Sequence, residues 1–237
     1  MTETLEETLE NNICSKTGKL ITFEGPEGGG KSTIINLIKD YLGLINYPIV
    51  CTREPGGTAV ADMVRQILLD PHIDDLGDEA ELYLMLAARA HKNLNIVKPA
   101  LEAGEIIITD RDYHSSIVYQ GFARGLGMEK VIALNEISLY GITPDLVFIL
   151  DVPPETGLKR AGGGGLQLDR IEAAGFEFHK KVREGYKALK SLLPHENIVY
   201  VDATKKPEEV LRTVWPYIQE LLGVKGNPYD LPKSKNS

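Results

Sequence analysis

Five short apolar runs, separated by longer stretches with helical periodicity, are the feature that most constrains the fold of this chain. The runs cover residues 20–24, 48–52, 105–110, 146–151 and 198–202. Strands that are apolar along their whole length are typical of a parallel sheet whose two faces are both covered by helices. The pattern therefore predicts an α/β fold built on a five-stranded parallel sheet.

Apolar residues at helical spacing fill the intervals between these runs. The predicted helices cover residues 32–42, 58–70, 78–103, 115–123, 128–141, 171–192 and 207–222. Pro99 lies within the third of them, where it predicts a kink or a restart of the helix. In parallel sheets of this kind, functional sites lie beyond the carboxyl ends of the strands. We therefore expect one edge of the sheet to carry the chemistry.

The length and composition suit a single domain between two short tails. The chain has 237 residues, of which 43% are hydrophobic, which is enough for a sizeable core. We place the domain at residues 18–223, after a flexible acidic tail at 1–17 and before a C-terminal extension at 224–237. No apolar run approaches the roughly 20 residues of a membrane-spanning helix, and the N-terminus lacks the pattern of a secretory signal. These features predict a cytoplasmic protein without a membrane partner.

The charge balance argues against nucleic acid as a partner. Twenty-six Lys and Arg residues face 34 Asp and Glu residues, which gives a net charge of −8. Binding to nucleic acid is driven by basic surfaces, which an acidic chain of this kind lacks. A small polyanion is a suitable ligand if the few cations converge at one place.

A glycine-rich sequence directly follows the first predicted strand. Residues 25–32, which we call the P-loop, read Gly-Pro-Glu-Gly-Gly-Gly-Lys-Ser and match the pattern G-x-x-x-x-G-K-[ST]. The glycines allow consecutive N–H groups to face a phosphate, and the N-terminus of the next helix adds positive potential. Lys31 is suited to reach the β- and γ-phosphates of a nucleotide, and the Ser32 hydroxyl is suited to ligate Mg²⁺.

Charged residues also stand where the other predicted strands end. Asp110 closes the third strand and is the best candidate for a second magnesium ligand, with a helix cap as the alternative. Arg53 and Arg111 follow the second and third strands, and paired guanidinium groups are suited to hold a second phosphate. The alternative for each arginine is a surface ion pair, which contributes little. Their shared location at one edge favours the phosphate site.

Taken together, these motifs resemble the thymidylate kinase family in its bacterial form. The resemblance rests on FEGPEGGGKST (23–33), TREPGGT (52–58), AAR (87–89), DRDYHSSIVYQG (110–121), PDLVFILD (144–151) and LDRIE (168–172). TREPGG combined with the DR…S…YQG segment is specific to this family, whereas a P-loop alone is shared by many. The resemblance implies the fold of a P-loop nucleoside monophosphate kinase with a short lid at about 158–171. It also implies transfer of the ATP γ-phosphoryl group to dTMP with Mg²⁺, and assembly as a homodimer.

The resemblance further implies roles for individual residues. The ATP-binding residues are predicted to be Gly25, Pro26, Glu27, Gly28, Gly29, Gly30, Lys31, Ser32, Thr33, Arg160, Asp202 and Ala203. The dTMP-binding residues are predicted to be Glu27, Arg53, Met85, Arg89, Arg111, Ser116, Tyr119, Gln120, Asp169 and Glu172. The residues predicted to act in catalysis are Lys31, Arg53, Arg111 and Arg160, with Ser32 and Asp110 as metal ligands.

Within that set, the family pattern assigns particular tasks. Arg53 and Arg111 match the arginines that grip the dTMP phosphate, and Arg89 matches the arginine that reads the thymine edge. Tyr119 matches the tyrosine that crowds the 2′ side of the sugar, and Glu27 occupies the acid position associated with the sugar 3′-hydroxyl. Each residue also has a purely structural alternative. For Tyr119 it is an aromatic side chain of the core, and for Arg89 it is a solvent-exposed charge on a helix.

Two departures from the family pattern affect these expectations. The lid has a glycine run at 162–165 where relatives whose P-loop lacks an arginine usually carry lid arginines. We therefore expect Arg160 to move onto the transferring phosphoryl group. Met85 stands where the family usually has a Phe that stacks on the base, so weaker base binding is expected. Ser116 replaces the Asn of some relatives, which affects base discrimination.

Two other functions fit part of the sequence. A different nucleoside monophosphate kinase would share the P-loop and the fold, although TREPGG and the YQG segment argue against it. A P-loop binding protein without catalysis is suggested only by the lack of lid cations.

Overall fold

Five parallel strands form one sheet in the computed structural model, which describes residues 17–162 and 169–228. The strands are β1 (Lys19–Glu24), β2 (Ile49–Arg53), β3 (Ile106–Asp110), β4 (Leu146–Asp151) and β5 (Ile198–Asp202). Their order is β2-β3-β1-β4-β5, and every pairing is parallel. The α/β fold predicted from the five apolar runs is confirmed. Most of the predicted N-terminal tail, the centre of the predicted lid and the end of the C-terminal extension lie outside the described residues.

Nine α-helices occur within the described ranges. They are α1 (Lys31–Leu44), α2 (Ala59–Leu69), α3 (Asp78–Lys92), α4 (Lys98–Glu102), α5 (Tyr113–Ser116), α6 (Met128–Leu139), α7 (Pro154–Ala161), α8 (Phe176–Leu192) and α9 (Pro207–Leu222). A π-helical segment at Asn93–Val97 joins α3 to α4, another at Ile117–Ala123 follows α5, and Glu172–Ala174 forms a 3₁₀ turn.

The α-helix restarts at Pro99 as predicted, because this residue lies in the first turn of α4, which begins at Lys98 after the π-helical segment. The other helix predictions fail at two points, each for a local reason. Gly175, with φ 91°, separates the 3₁₀ turn from α8, so the helix predicted over 171–192 is two elements. Helix α7 was not predicted, because its eight residues are too few to show a clear periodicity.

The core lies on both faces of the sheet because alternate residues of each strand point to opposite sides. On one face, Phe148 of β4 packs in a cluster with Ile38 of α1 and Trp215 of α9. On the other face, Ile149 packs with residues of the Ile117–Ala123 segment and with Tyr186 of α8. No helix within 17–162 or 169–228 has the length and hydropathy needed to cross a membrane.

The strand register brings the predicted functional residues to one edge. Asp110 at the end of β3 pairs with Phe23 of β1 on one side and with Arg53 of β2 on the other. The P-loop directly follows β1, so it lies beside both strand ends. The parallel arrangement therefore assembles residues far apart in sequence at the carboxyl edge.

The C-terminal extension begins as part of the packed domain. The Tyr41 hydroxyl donates a hydrogen bond to the carbonyl of Lys225 at 3.1 Å, and the Trp215 indole donates to Gly226 at 3.0 Å. Val224 is buried within the cluster on the α1 and α9 side. These contacts attach residues 224–226 to the core.

Two glycines allow α7 to touch the P-loop directly, and replacing one of them should destabilise the protein. A Cβ atom on Gly157 would lie 2.3 Å from the Glu27 carbonyl oxygen, and one on Gly28 would lie 2.1 Å from the Gly157 carbonyl oxygen. We expect Gly157→Ala to lower the free energy of unfolding by about 1–3 kcal/mol, because the backbones must separate. Urea denaturation measures the change.

Gly43, a helical glycine of α1 with open space around the added Cβ, offers a matched control. Gly43→Ala should stabilise the protein by about 0.4–1 kcal/mol through the unfolded chain. If both variants shifted the midpoint in the same direction, the close approach of α7 and the P-loop would be wrong.

Candidate active site

A cavity of about 380 Å³ opens at the carboxyl edge of the sheet, between the P-loop, α3 and the Ile117–Ala123 segment. All ten residues predicted to bind dTMP line it: Glu27, Arg53, Met85, Arg89, Arg111, Ser116, Tyr119, Gln120, Asp169 and Glu172. Lys31, Ser32 and Asp110 line the same cavity. The structure thus brings the predicted phosphate-binding residues and the predicted substrate residues together in one place.

The P-loop holds its lysine against its own backbone. Helix α1 begins at Lys31, after Gly30 in the left-handed region at φ 78°. The Lys31 ammonium group donates hydrogen bonds to the carbonyl oxygens of Gly25 at 3.1 Å and Pro26 at 3.0 Å. Burial, and the nearby Arg111 guanidinium, lower the pKa of Lys31 to about 8. An incoming phosphate would replace these carbonyl contacts with a stronger, charged partner.

Ser32 and Asp110 form the pair predicted to hold magnesium. The Ser32 hydroxyl donates to Asp110 Oδ2 at 2.7 Å, so both oxygens face the same point. Mg²⁺ prefers hard oxygen ligands and is often held by one or two carboxylates together with substrate phosphates. The described residues contain no group of three or more His, Cys, Asp or Glu side chains arranged for a metal. The Ser32 hydroxyl and the Asp110 carboxylate are oxygen donors of this kind, so the pair fits a magnesium ion.

Arg111 is held by several hydrogen bonds in the wall of the cavity. It has a left-handed backbone at φ 71°, and its N–H donates to the Phe23 carbonyl at 2.9 Å. Its guanidinium donates at 2.9 Å to the Gly25 carbonyl, the Tyr186 hydroxyl and Glu27 Oε1. A strained backbone that is held by its surroundings is typical of functional positions. The contacts orient Arg111 towards the P-loop.

Arg53 is much less constrained. Its side chain is 56% exposed and donates to Asp62 Oδ1 at 3.1 Å, whereas the Arg111 side chain is 17% exposed. An exposed ion pair of this kind is worth little and is easily broken. The second arginine of the predicted phosphate site can therefore exchange its partner for a substrate.

Glu27 is an ionised carboxylate in the wall of the cavity. Its Oε1 accepts hydrogen bonds from the Tyr119 hydroxyl at 2.6 Å and from Arg111. Its Oε2 lies 3.3 Å from His179 Nδ1. Burial alone would raise the pKa of Glu27, but Arg111 and His179 outweigh it and lower the pKa to about 2. The group is therefore an acceptor for hydrogen bonds at neutral pH.

Arg89 belongs to a buried cluster of charges, only partly found from the sequence. Its Nε and Nη2 donate to Glu54 Oε2 at 2.9 and 2.6 Å, and Nη2 also donates to Ser116 at 2.9 Å. Lys92 Nζ lies 2.6 Å from Glu54 Oε1 and 3.7 Å from Asp112. Arg89 and Lys92 are each 1% exposed. The guanidinium is therefore fixed before any substrate arrives.

Two members of this cluster, Glu54 and Lys92, were not predicted, although each of them has a signal in the sequence. Glu54 directly follows Arg53 in TREPGGT, and Lys92 lies one helical turn after Arg89 on α3, on the same face. The Asn135 amide oxygen, which accepts from Arg89 Nη1, comes from α6 and has no such signal.

At the end of the predicted lid, the side chains of Asp169 and Glu172 each accept a hydrogen bond from the backbone N–H of the other residue. Asp169 Oδ1 accepts from the N–H groups of Ile171 at 2.9 Å and Glu172 at 2.8 Å, and Glu172 Oε2 accepts from the Asp169 N–H at 3.1 Å. This arrangement is a capping box. Arg170 points elsewhere, donating to the Leu68 carbonyl and to Glu81. The Gln120 amide is also taken by Glu81, at 2.7 Å.

A second cavity of about 530 Å³ lies on the other side of the P-loop. It is lined by Gly28, Gly29, Gly30, Thr33, Arg160 and Ala203, among the residues predicted to bind ATP. Arg160 donates to the carbonyl oxygens of Ala203 at 2.8 Å and Thr204 at 3.1 Å. Asp202 does not line this cavity. Its carboxylate accepts a hydrogen bond from the Thr204 N–H at 3.0 Å, in the turn that follows β5. Arg160 thus borders the second cavity, not the first.

Two cavities share the P-loop, and several arginines line the first of them. That arrangement on a five-stranded parallel sheet is the one used by P-loop nucleoside monophosphate kinases. The family model described as Thymidylate kinase matches residues 23–214. The chain belongs to the thymidylate kinase family.

Individual relatives agree with this assignment. A thymidylate kinase of Nitratidesulfovibrio vulgaris is 41% identical over 88% of this chain and 99% of its own length. One from Finegoldia magna is 43% identical over 80% of this chain and 92% of its own. The crystal structure of thymidylate kinase from Ehrlichia chaffeensis has a TM-score of 0.68 at 30% identity, covering 85% of this chain and 99% of that chain.

Proposed function

We propose that this protein transfers the γ-phosphoryl group of ATP to dTMP, giving ADP and dTDP. The observation that carries the proposal is that all ten residues predicted to contact dTMP line one cavity beside Lys31 and Ser32 of the P-loop. Membership of the thymidylate kinase family supports the same reaction. ATP would occupy the second cavity, with its phosphates in the P-loop between the two.

The residues act by alignment and charge neutralisation. The dTMP phosphate is already ionised, so its oxygen can attack without a general base, and the enzyme must hold two repelling anions together. Lys31 and Arg111 supply positive charge on the two sides of the transferring group, and Arg53 adds a mobile cation from β2. When bound with ATP, magnesium would neutralise further charge on the phosphates, and Ser32 and Asp110 are the residues suited to hold it.

Recognition of the base would come from the Arg89 guanidinium, which is already held in place in the free protein. Arg89 is fixed by Glu54 and Ser116, so the entropy of ordering its guanidinium is lost on folding and not on binding. Met85 also lines this cavity and would contact the base through its thioether, a weaker contact than aromatic stacking.

A coupled assay of ADP release across dTMP, dUMP, CMP, GMP and AMP tests the reaction and the substrate together. We expect the highest kcat/KM with dTMP. A preference for another monophosphate would favour a different kinase of the same fold. ATP binding without product from any of the five would favour a P-loop protein without catalysis.

Arg160 is proposed as the cation that replaces the usual lid arginines. We expect Arg160→Ala to lower kcat by about 10³-fold, because an arginine that reaches the transferring group neutralises its charge. The neighbouring exposed Lys159 is the control, and Lys159→Ala should keep kcat. If Arg160→Ala raised only the KM for ATP, Arg160 would be an organiser of the second cavity through Ala203 and Thr204.

We also propose that the protein is a homodimer. The outer faces of α2, α3 and α6 expose large apolar side chains, among them Met63 at 58% and Ile137 at 77%. Exposed apolar surface of this kind marks interaction sites. Sedimentation velocity would show a species of twice the chain mass, and a monomer at micromolar concentration would contradict the proposal.

A cytoplasmic location completes the proposal. Cys51 is an exposed free thiol, which suits a reducing compartment. The net charge of −8 argues against nucleic acid as a partner, whereas the arginines that line the first cavity suit a small phosphorylated substrate.

A further inference from the structure

Glu24, the last residue of β1, carries a buried carboxylate behind the first cavity. It is 0% exposed and does not line that cavity. Its Oε1 accepts a hydrogen bond from the Asp112 N–H at 2.7 Å, and the His114 ring lies further from it, at 3.9 Å. Its Oε2 accepts from the Ser115 hydroxyl at 2.6 Å and from the Tyr186 hydroxyl at 2.8 Å. Both oxygens are thus bound by donors of the protein, so Glu24 can affect a ligand through these neighbours.

The two hydroxyl groups bound to Glu24 also bind Arg111. Arg111 Nη1 donates to Tyr186 Oη at 2.9 Å and to Ser115 Oγ at 3.2 Å. A hydroxyl has one hydrogen and two lone pairs, whereas an ionised carboxylate can only accept. Each hydroxyl therefore points its hydrogen at Glu24 Oε2 and keeps its lone pairs for Arg111. The carboxylate sets the direction of the two hydroxyl dipoles that hold Nη1.

Glu24 also fixes the backbone at Arg111. Arg111 has a φ of 71°, in the left-handed region that residues other than glycine rarely adopt. Its own N–H donates to the Phe23 carbonyl at 2.9 Å, and the N–H of the next residue, Asp112, donates to Glu24. The peptide groups on both sides of Arg111 are therefore attached to the end of β1. One carboxylate holds the backbone through Oε1 and the side chain through Oε2.

These contacts leave part of the guanidinium for a ligand. Nη1 faces three acceptors, since it also donates to the Gly25 carbonyl at 2.9 Å, and it has two hydrogens to share among them. Nη2 gives one hydrogen to Glu27 at 2.9 Å. The Nε hydrogen and the second Nη2 hydrogen have no acceptor among the residues that the structure describes. Two N–H groups of one guanidinium are suited to bind a phosphate together.

We propose that Glu24 is a positioning residue for the phosphoryl transfer, which holds Arg111 so that Nε and Nη2, and not Nη1, meet the phosphate of dTMP. An arginine that is ordered before the substrate arrives loses less side-chain entropy on binding. Glu24 acts from behind the wall, through Ser115 and Tyr186. This inference rests on the proposed function, because it takes the dTMP phosphate as the ligand of Arg111.

The substitution Glu24→Gln tests the role of the carboxylate. An amide has one accepting oxygen, so either the Asp112 N–H or the pair of hydroxyls would face its NH₂ group. We expect the KM for dTMP to rise by about tenfold or more, as for loss of hydrogen bonds to a charged group, and the KM for ATP to stay within about twofold. Steady-state ADP release, with each substrate varied in turn, measures both values. Equal rises of the two KM values would indicate a general disturbance of the P-loop and would overturn the inference.

Tyr186→Phe keeps the inference testable if Glu24→Gln does not fold. It removes one of the two hydroxyls and leaves the buried ring in place, so the KM for dTMP should rise by about threefold or more, as for loss of a neutral hydrogen bond. Tyr41→Phe is the matched control. Tyr41 is 5% exposed, compared with 1% for Tyr186, and its hydroxyl donates to the Lys225 carbonyl at 3.1 Å, away from the first cavity. An unchanged KM in Tyr186→Phe, or the same rise in the control, would contradict the proposed role.

A double-mutant cycle shows whether Glu24 acts through Arg111. In the Arg111→Met background, adding Glu24→Gln should change kcat/KM for dTMP by less than about twofold, because the side chain that Glu24 positions is already absent. A further fall as large as that caused by Glu24→Gln in the wild type would mean that the two residues act independently. That result would overturn the inference, whereas a purely structural carboxylate would produce it.

A measurement without substrate separates this inference from the reaction. The guanidinium ¹⁵N signals of Arg111, assigned by comparison with Arg111→Met, should be separate for Nη1 and Nη2 in the free wild type, because the contacts hinder rotation of the group. In Glu24→Gln the exchange between the two signals should become several-fold faster. An unchanged exchange rate would overturn the inference even if dTDP were formed normally. Absence of dTDP from the wild type, together with faster exchange in the variant, would count against the proposed substrate and support the positioning of Arg111 by Glu24.

Discussion

Replacing Glu54 with alanine should lower the free energy of unfolding by about 3–5 kcal/mol, because it leaves two buried cations without their closest shared partner. Glu54 accepts from Arg89 at 2.9 and 2.6 Å and contacts Lys92 at 2.6 Å, and all three side chains are at most 6% exposed. The KM for dTMP should rise as well, since Arg89 loses the group that orients it. Urea denaturation and steady-state kinetics measure the two effects.

Glu177 is the matched control for this change. It forms an ion pair with Lys180 at 3.0 Å, but the two side chains are 78% and 47% exposed. Glu177→Ala should therefore change the stability by no more than about 0.5 kcal/mol. Equal, small effects of both substitutions would mean that the Glu54 cluster is not buried as described.

Replacing Arg111 with methionine should lower kcat/KM by about 10³-fold. The guanidinium is held between the P-loop and the proposed second phosphate site, where one well-placed cation or donor contributes about 10²–10³-fold or more. Arg111→Lys should recover only part of the loss, because an ammonium group cannot reach Gly25, Tyr186 and Glu27 together. The measurement is steady-state ADP release with dTMP varied.

Arg183 is a suitable control for Arg111, since it is also a partly buried arginine near the carboxyl edge of the sheet. It binds Asp151 through two hydrogen bonds of 2.7 and 2.8 Å and does not line the first cavity. Arg183→Met should lower stability and leave kcat/KM within a few-fold of the wild type. A fall of less than tenfold in Arg111→Met would remove Arg111 from the transfer step.

The sheet and the P-loop could be predicted because their signals are local. A buried parallel strand is an unbroken apolar run, and a phosphate loop needs its glycines and lysine at fixed spacing. The family resemblance then named ten residues as dTMP contacts, and all ten line the first cavity. Strand ends of a parallel sheet meet at one edge, so the neighbourhood of Arg53, Asp110 and Arg111 follows from the fold class alone.

The supporting residues could not be predicted, because their partners are distant in sequence. Glu54 meets Arg89 across 35 positions, and Glu27 meets His179 across more than 150. His179 in particular looks like an isolated histidine in the sequence, and only the packing of α8 against the P-loop gives it a partner. Periodicity reports which face of a helix is buried, but not which polar group lies opposite it.

Helix α7 meets the phosphate-binding loop main chain to main chain at Gly28 and Gly157, without an intervening side chain. Side chains can absorb a small shift between two elements by changing rotamer, whereas two backbones in contact must travel together. Arg160, one turn further along α7, adds a hydrogen bond of 3.3 Å to the Gly28 carbonyl. Because this contact is rigid, a small tilt of the axis of α7 shifts the P-loop backbone directly, and with it the atoms that bind the nucleotide.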